Sequence, residues 1–137
     1  MITAIRTIVL HAWAVVGLGL AALFGVAHAV EAGTVSASSQ GVTATLRAPT
    51  HSPRVDVGWP IHFTVSRGGA PARASVAYEY LLGTQVVAHR SHYTFTGRFS
   101  DMFEWPAAAV GYPLTFRAVI VSKGVTLDLD YPVQVLR

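Results

Sequence analysis

The sequence predicts an all-β domain, an antiparallel sandwich of seven to eight strands, from two observations. Apolar and polar residues alternate without interruption from Val125 to Val135, as they do in a strand with one buried face. Further alternating runs precede it, separated by turn residues about every ten positions, and no amphipathic helical pattern lies among them. Short strands with frequent turns are typical of a two-sheet sandwich.

The first 29 residues differ from the rest and match a secretory signal peptide, with an N-terminal helix preceding the sandwich. Arg6 is the only charged residue before an uncharged run from Ala12 to Ala27, and Ala27-His28-Ala29 has the small residues of a cleavage site. We therefore expect cleavage after Ala29 and a secreted or extracytoplasmic domain. A retained anchor is the alternative, because residues 8–29 approach the about 20 residues needed to span a bilayer.

The remaining chain divides into a short polar stretch and the sandwich itself, which we expect over residues 42–137. Residues 30–41 are small and polar, and they are either a linker or a frayed first strand. Up to eight alternating runs follow, each ended by proline, glycine or a polar turn. They are Val42–Ala48, Ile61–Ser66, Ala74–Leu82, Gln85–Ala88, His92–Phe95, Phe99–Trp105, Leu114–Ile120 and Val125–Val135.

Local features of the last two runs give sharper expectations. Ser122-Lys123-Gly124 predicts a tight reversal, because glycine supplies the positive φ that a hairpin turn needs. Pro132 lies inside the last run and has no N–H to donate. We therefore expect the strand to bend there or to pair on one side only.

Composition excludes several classes of function. Counting from Val30, nine Lys and Arg face seven Asp and Glu, and the basic residues are scattered without interleaved aromatics, so we expect no nucleic-acid partner. The chain has no cysteine, hence no disulfide and no thiol nucleophile. Nucleophile-elbow, P-loop, Rossmann and zinc-finger spacings are all missing. The sequence therefore predicts no enzyme and no cofactor.

From about Val42 to its end, the chain resembles the small exported immunoglobulin-like proteins of actinobacteria and other bacteria. The motifs that carry the resemblance are Ala48–Pro53 with Trp59-Pro60-Ile61, Gly68–Pro71, Val76–Tyr80, Phe103–Ala107, Val110–Arg117 and Leu129–Val133. It implies an immunoglobulin-like sandwich without the Cys…Trp…Cys core of antibody domains. With it we expect a non-enzymatic interaction or structural module of the cell envelope, whose partner is a cell-envelope protein. Membrane contact is expected only if the N-terminal segment is uncleaved.

The alternative function is metal handling, by a looser similarity to periplasmic copper-handling sandwiches. His89 and His92 are the only histidines close together in the mature sequence. Residues three apart in a continuous strand point to opposite faces, so both could meet Cu²⁺ or Zn²⁺ only if Arg90-Ser91 forms a hairpin turn. Met102 or His51 is then the third ligand. The competing interpretation is two exposed loop histidines.

Asp128 and Asp130 are two residues apart, hence on one face of the last strand with Cα atoms roughly 6.5–7 Å apart. Paired carboxylates could bind a cation or serve hydrolysis. A cross-strand pair with Arg117 on the neighbouring strand explains them without a site, and we favour it.

Most aromatic residues are expected to fill the core. For Trp59 we expect a buried position at the end of the sandwich, and for Tyr112 a hydroxyl that fastens a corner. His62 alternates with core residues and is expected to face solvent.

Overall fold

The computed structural model describes residues 33–137, apart from the side chain of Ser91. The predicted signal peptide and residues 30–32 lie outside this range. The described strands are β1 Gly33–Ser39, β2 Val42–Ala48, β3 Gly58–Arg67, β4 Ala70–Pro71, β5 Arg73–Leu82, β6 Gln85–Thr96, β7 Arg98–Glu104, β8 Pro113–Ser122 and β9 Val125–Gln134. A single 3-10 turn, Ala107–Ala109, lies between β7 and β8. Within residues 33–137 no helix has the length and apolarity to cross a membrane.

The strands form two antiparallel sheets packed face to face, which confirms the predicted all-β sandwich. One sheet has the order β1-β2-β3, and both β7 and the two-residue β4 pair with the far side of β3. The other sheet has the order β6-β5-β8-β9. The facing sets β2-β3-β7 and β6-β5-β8-β9 reproduce the A-B-E and C′-C-F-G strand orders of immunoglobulin-like sandwiches.

Residues 33–39 form a fully paired strand. The sequence was compatible either with a linker or with a frayed first strand in this region. Every residue of β1 has a partner in β2, from Gly33 opposite Ala48 to Ser39 opposite Val42. Gly33 lies so close to the Tyr131 ring and to His51 that a Cβ atom there would overlap both. The start of β1 is therefore fixed against β9 as well as against β2.

The prediction of two short strands at Gln85–Ala88 and His92–Phe95 was wrong, because both belong to the single strand β6. Between Tyr80 and Leu81 of β5, β6 advances by two residues, so Val87 is an extra residue. A second register shift occurs between Val76 and Tyr78, where β6 advances by three residues. These two bulges break the period-two alternation that marks a strand in sequence.

The core lies between the sheets and follows the predicted inward faces. Ile61, Phe63 and Val65 of β3 are buried, and so are the inward-facing residues of β5. Trp59 is only 1% exposed, and its indole N–H donates to the Thr50 carbonyl at 3.0 Å. This confirms that Trp59 closes one end of the core.

Pro132 lies in an edge strand, as its missing N–H requires. It is opposite Thr115 of β8, and within the described residues the sheet ends at β9. The outer edge of β9 is covered instead by the segment that follows β2. There the ring Nδ1 of His51 lies 2.7 Å from the Pro132 carbonyl oxygen, and the Gln134 N–H donates to the His51 carbonyl at 2.9 Å. β9 therefore forms ladder pairs on one side only, as the position of Pro132 predicted.

Candidate binding site

The structure separates His51 from the two β6 histidines with which it was expected to share a metal ion. His51 lies beside β9 and stacks on the Tyr131 ring, with centroids 4.0 Å apart. His89 and His92 lie on β6, at the opposite edge of the same sheet. Since β5 and β8 lie between, these edges are about 14 Å apart at ordinary strand spacing. One ion could not bind at both edges.

Met102 is also remote from the β6 histidines. On β7, Asp101 faces inward, so the next residue, Met102, lies on the outer face of the five-stranded sheet. Its side chain is 59% exposed and lies over Gly58. His89 is on the outer face of the other sheet, with its Nδ1 3.7 Å from a Glu79 carboxylate oxygen. The sheets of a sandwich are about 10 Å apart, so these outer faces point away from each other.

The hairpin turn that the metal hypothesis required is a bulged, continuous stretch of β6. In residues 33–137, no group of three or more His, Asp or Glu side chains is placed to hold a metal ion. The expected set of His89, His92, His51 and Met102 is therefore not brought together. His62 is exposed as predicted, and its Nδ1 lies 2.8 Å from the Ser100 hydroxyl.

The second candidate site consists of Asp128 and Asp130. As expected, Asp130 forms a cross-strand ion pair with Arg117. Arg117 lies opposite Asp130 and binds it with two hydrogen bonds, Nε to Oδ1 at 2.7 Å and Nη2 to Oδ2 at 3.0 Å. The bonds to Asp130 raise the pKa of Arg117. Asp128 is farther from Arg117, at 4.0 Å, and burial raises its pKa despite the opposing effect of the guanidinium. The cluster is explained by pairing across the sheet.

Sequence reasoning missed an apolar pocket of about 440 Å³ at one end of the sandwich. Its lining comes from β5, β6, β7 and β8 and from the segment between β7 and β8 that holds the 3-10 turn. Its lining is aliphatic and aromatic, and includes Tyr80, Leu82, Val87, Phe103, Trp105 and Leu114. Val87 lies at a bulge of β6, and the 3-10 turn Ala107–Ala109, which we call the alanine turn, contributes only small side chains to the lining. Its volume is in the range of ordinary ligand pockets, about 300–1,000 Å³.

Three rings form the inner wall of the pocket. The centroids of Tyr80 and Phe103 are 5.4 Å apart, those of Tyr80 and Trp105 are 5.6 Å apart, and those of Phe103 and Trp105 are 5.0 Å apart. The Tyr80 hydroxyl and the Trp105 indole N–H are sealed from solvent, and the indole N–H has no hydrogen-bond partner among residues 33–137. Burial raises the pKa of Tyr80, so its hydroxyl stays protonated at neutral pH.

Arg90 of β6 lies against the same wall. Its guanidinium carbon is 4.9 Å from the centroid of the Phe103 ring, a cation–π contact. Its charge lowers the pKa of Tyr80, which opposes the larger effect of burial. The ion pairs found in the described part of the chain all involve Arg117 or His89, so no carboxylate there neutralises Arg90.

The surface around the pocket is unusually apolar. Within residues 33–137, seven large apolar side chains are exposed, and six lie toward this end of the sandwich, which we call the apolar end. Leu82, Val87 and Tyr112 line the pocket, whereas Val57, Met102 and Leu136 lie outside it. Tyr112 is 52% exposed, so its hydroxyl does not fasten a buried corner as expected. The opposite end, which we call the basic end, exposes Arg67, Arg73, Arg98 and Lys123 at its strand ends and turns.

The fold and this site define an antiparallel β-sandwich with an apolar pocket at one end. Comparison of the chain with protein-family models and with curated proteins finds no match. Function therefore has to be argued from the residues of the two ends.

Proposed function

We propose that this protein is an exported, non-enzymatic immunoglobulin-like module of the cell envelope that binds a partner protein through its apolar end. The observation that carries the proposal is the segregation of exposed apolar side chains in residues 33–137: three of seven line the pocket, and three more lie toward the same end of the sandwich. Apolar patches rimmed by polar residues commonly mark interaction sites. Export rests on the sequence of residues 1–29, and if that segment is uncleaved it would hold the module at a membrane.

A binding role fits the chemistry of the pocket better than a catalytic one. Its lining supplies no carboxylate, imidazole, serine or lysine side chain. General acid–base and nucleophilic catalysis most often use such a group within hydrogen-bond reach of the substrate. The strongest ion pair, Arg117 with Asp130, joins two strands on the outer face of the sheet and is already engaged.

Site-specific photo-cross-linking in living cells tests the proposal on the full chain. Benzoylphenylalanine replaces Tyr112 at the apolar end or, as the control, Val121, which is also exposed but lies toward the basic end. We expect an adduct with an envelope protein from position 112 and none from position 121.

A second substitution makes this experiment specific to the surface. Leu82→Asp places a charge beside the pocket at an exposed position, so the adduct from position 112 should disappear while the fold persists. Equal adducts from both positions, or an adduct that survives Leu82→Asp, would show that the apolar end does not select the partner.

A further inference from the structure

We propose that the pocket at the apolar end is a binding site for a single-chain amphiphile, whose hydrocarbon body fills the pocket and whose carboxylate head binds Arg90. This inference goes beyond the proposed function and requires no partner protein. It assigns a ligand class to a site formed by β5, β6, β7, β8 and the alanine turn.

The lining determines the nature of the ligand body. About 440 Å³ of space bounded by aliphatic and aromatic side chains offers no polar group on its open surface for a sugar or a nucleotide to bind. A hydrocarbon body gains from being transferred out of water at about fourfold in affinity per buried methylene. Val87 and Leu82 are half-exposed at the opening, so an entering chain covers apolar surface that is now in contact with solvent.

The charge of Arg90 and its hydrogen-bond donors determine which head group the site would bind. Arg90 is exposed, rests on the Phe103 ring and has no ion pair in the described residues. A guanidinium offers donors only, in a fork that matches the two oxygens of a carboxylate. Asp101, the inward-facing carboxylate of β7, is already engaged, because it accepts from the Tyr78 hydroxyl at 2.9 Å and from the Met102 N–H at 2.8 Å.

Arg90 determines the sign of the head group. A cationic head would meet its guanidinium as a like charge. The Tyr80 hydroxyl and the Trp105 indole N–H are sealed from solvent behind the wall, so they do not contact a ligand in the pocket.

Calorimetric titration of the purified full chain tests this inference with three defined probes that share one tail. Dodecanoate and dodecyltrimethylammonium are used below their micelle-forming concentrations, and dodecanol is used below its solubility limit. We expect dodecanoate to bind at one site, dodecanol about tenfold more weakly because it lacks the charge-assisted bond, and the cation more weakly still.

Two matched pairs of variants locate the tail and the head. Ala108→Trp puts a large ring at an exposed position of the pocket lining, while Ala107→Trp puts the same ring on the same turn outside the lining. Arg90→Gln removes the guanidinium at the wall, and Arg98→Gln removes one at the basic end. We expect at least about a tenfold loss of dodecanoate affinity in Ala108→Trp and Arg90→Gln only, with dodecanol unaffected by Arg90→Gln.

Each part of the inference has its own contrary result. Equal affinities in Ala108→Trp and Ala107→Trp overturn the location, because the tail is then bound elsewhere. Equal affinities for the three probes, unchanged in Arg90→Gln, overturn the carboxylate head. A wild-type chain that does not bind dodecanoate overturns the whole inference. The proposed function fails by a different result, the loss of position-specific cross-linking to a protein.

Discussion

Two carboxylates of the last strand show how much the environment of a single residue determines. Asp130 has both oxygens in hydrogen bonds to Arg117, whereas Asp128 lies 4.0 Å from the same guanidinium without a hydrogen bond. Burial raises the pKa of Asp128. A carboxyl group whose pKa is higher in the folded chain than in the unfolded chain costs stability when it ionises. The two acids therefore have opposite roles in stability.

We predict that Asp130→Asn destabilises the fold and that Asp128→Asn does not. Loss of a half-buried, bidentate pair should cost about 1 kcal/mol, or about 4 °C in the melting temperature at pH 7. Asp128→Asn should leave the melting temperature unchanged or slightly raised, because it removes an ionised group that burial disfavours.

The pH dependence separates these effects further. As the pH falls through the raised pKa of Asp128, the wild-type carboxyl group becomes neutral, and any advantage of Asp128→Asn should vanish. Thermal melts from pH 7 downward measure this. An Asp128→Asn variant that is as unstable as Asp130→Asn would contradict the assignment.

At the scale of single elements, the β8–β9 hairpin depends on an unusual backbone conformation. Ser122 pairs with Val125, so the loop consists of Lys123 and Gly124, with φ of 48° and 76°. Two positive φ angles define a type I′ turn, which matches the twist of the strands but strains a lysine. This confirms the predicted reversal and shows that Lys123 is not the best residue for it.

We predict that Lys123→Asn stabilises the protein by about 0.5 kcal/mol, since asparagine tolerates the left-handed region better. Gly124→Ala should destabilise it by about 1 kcal/mol for the opposite reason. Urea unfolding measures both changes. Lys123→Gln is the control, because it removes the same charge from the basic end without relieving the backbone. A gain from Lys123→Gln equal to that from Lys123→Asn would assign the effect to charge.

The elements also show which parts of the fold could be predicted from sequence. Strands with uninterrupted alternation were predicted closely, including β9 and its pairing of Asp130 with Arg117. The sequence predicted β6 as two strands, because its two bulges interrupt the alternation of apolar and polar residues by which a strand is recognised in a sequence. The pocket could not be predicted, since it depends on the distance between the edges of β6 and β7 and on space left by alanines, which no local pattern encodes.

The whole molecule has two chemically different ends. The basic end exposes four cationic side chains, and the apolar end exposes six large apolar ones. Charges of one sign keep a surface hydrated, whereas a contiguous apolar patch attracts other apolar surfaces. Association of this protein with apolar molecules should therefore involve one end only.

We predict that the double variant Val87→Thr/Tyr112→Ser lowers the fluorescence of bound Nile red by about half, because it removes apolar surface at the opening of the pocket. The dye is uncharged and should not respond to the basic end. Val121→Thr is the matched control, since Val121 is exposed near the other end. Similar losses in the control and the double variant would show that the dye binds without preference for an end.

The position of Gly33 has a practical consequence for any fusion or immobilised form of this protein. Gly33 lies against Tyr131 and His51, and neither of these residues lines the pocket. A bulky label joined at Gly33 would overlap both rings and disturb the packing of β1 against β9. The Gly68-Gly69 turn at the basic end, where a Cβ atom would meet no neighbour, is an attachment point that leaves both this packing and the pocket unchanged.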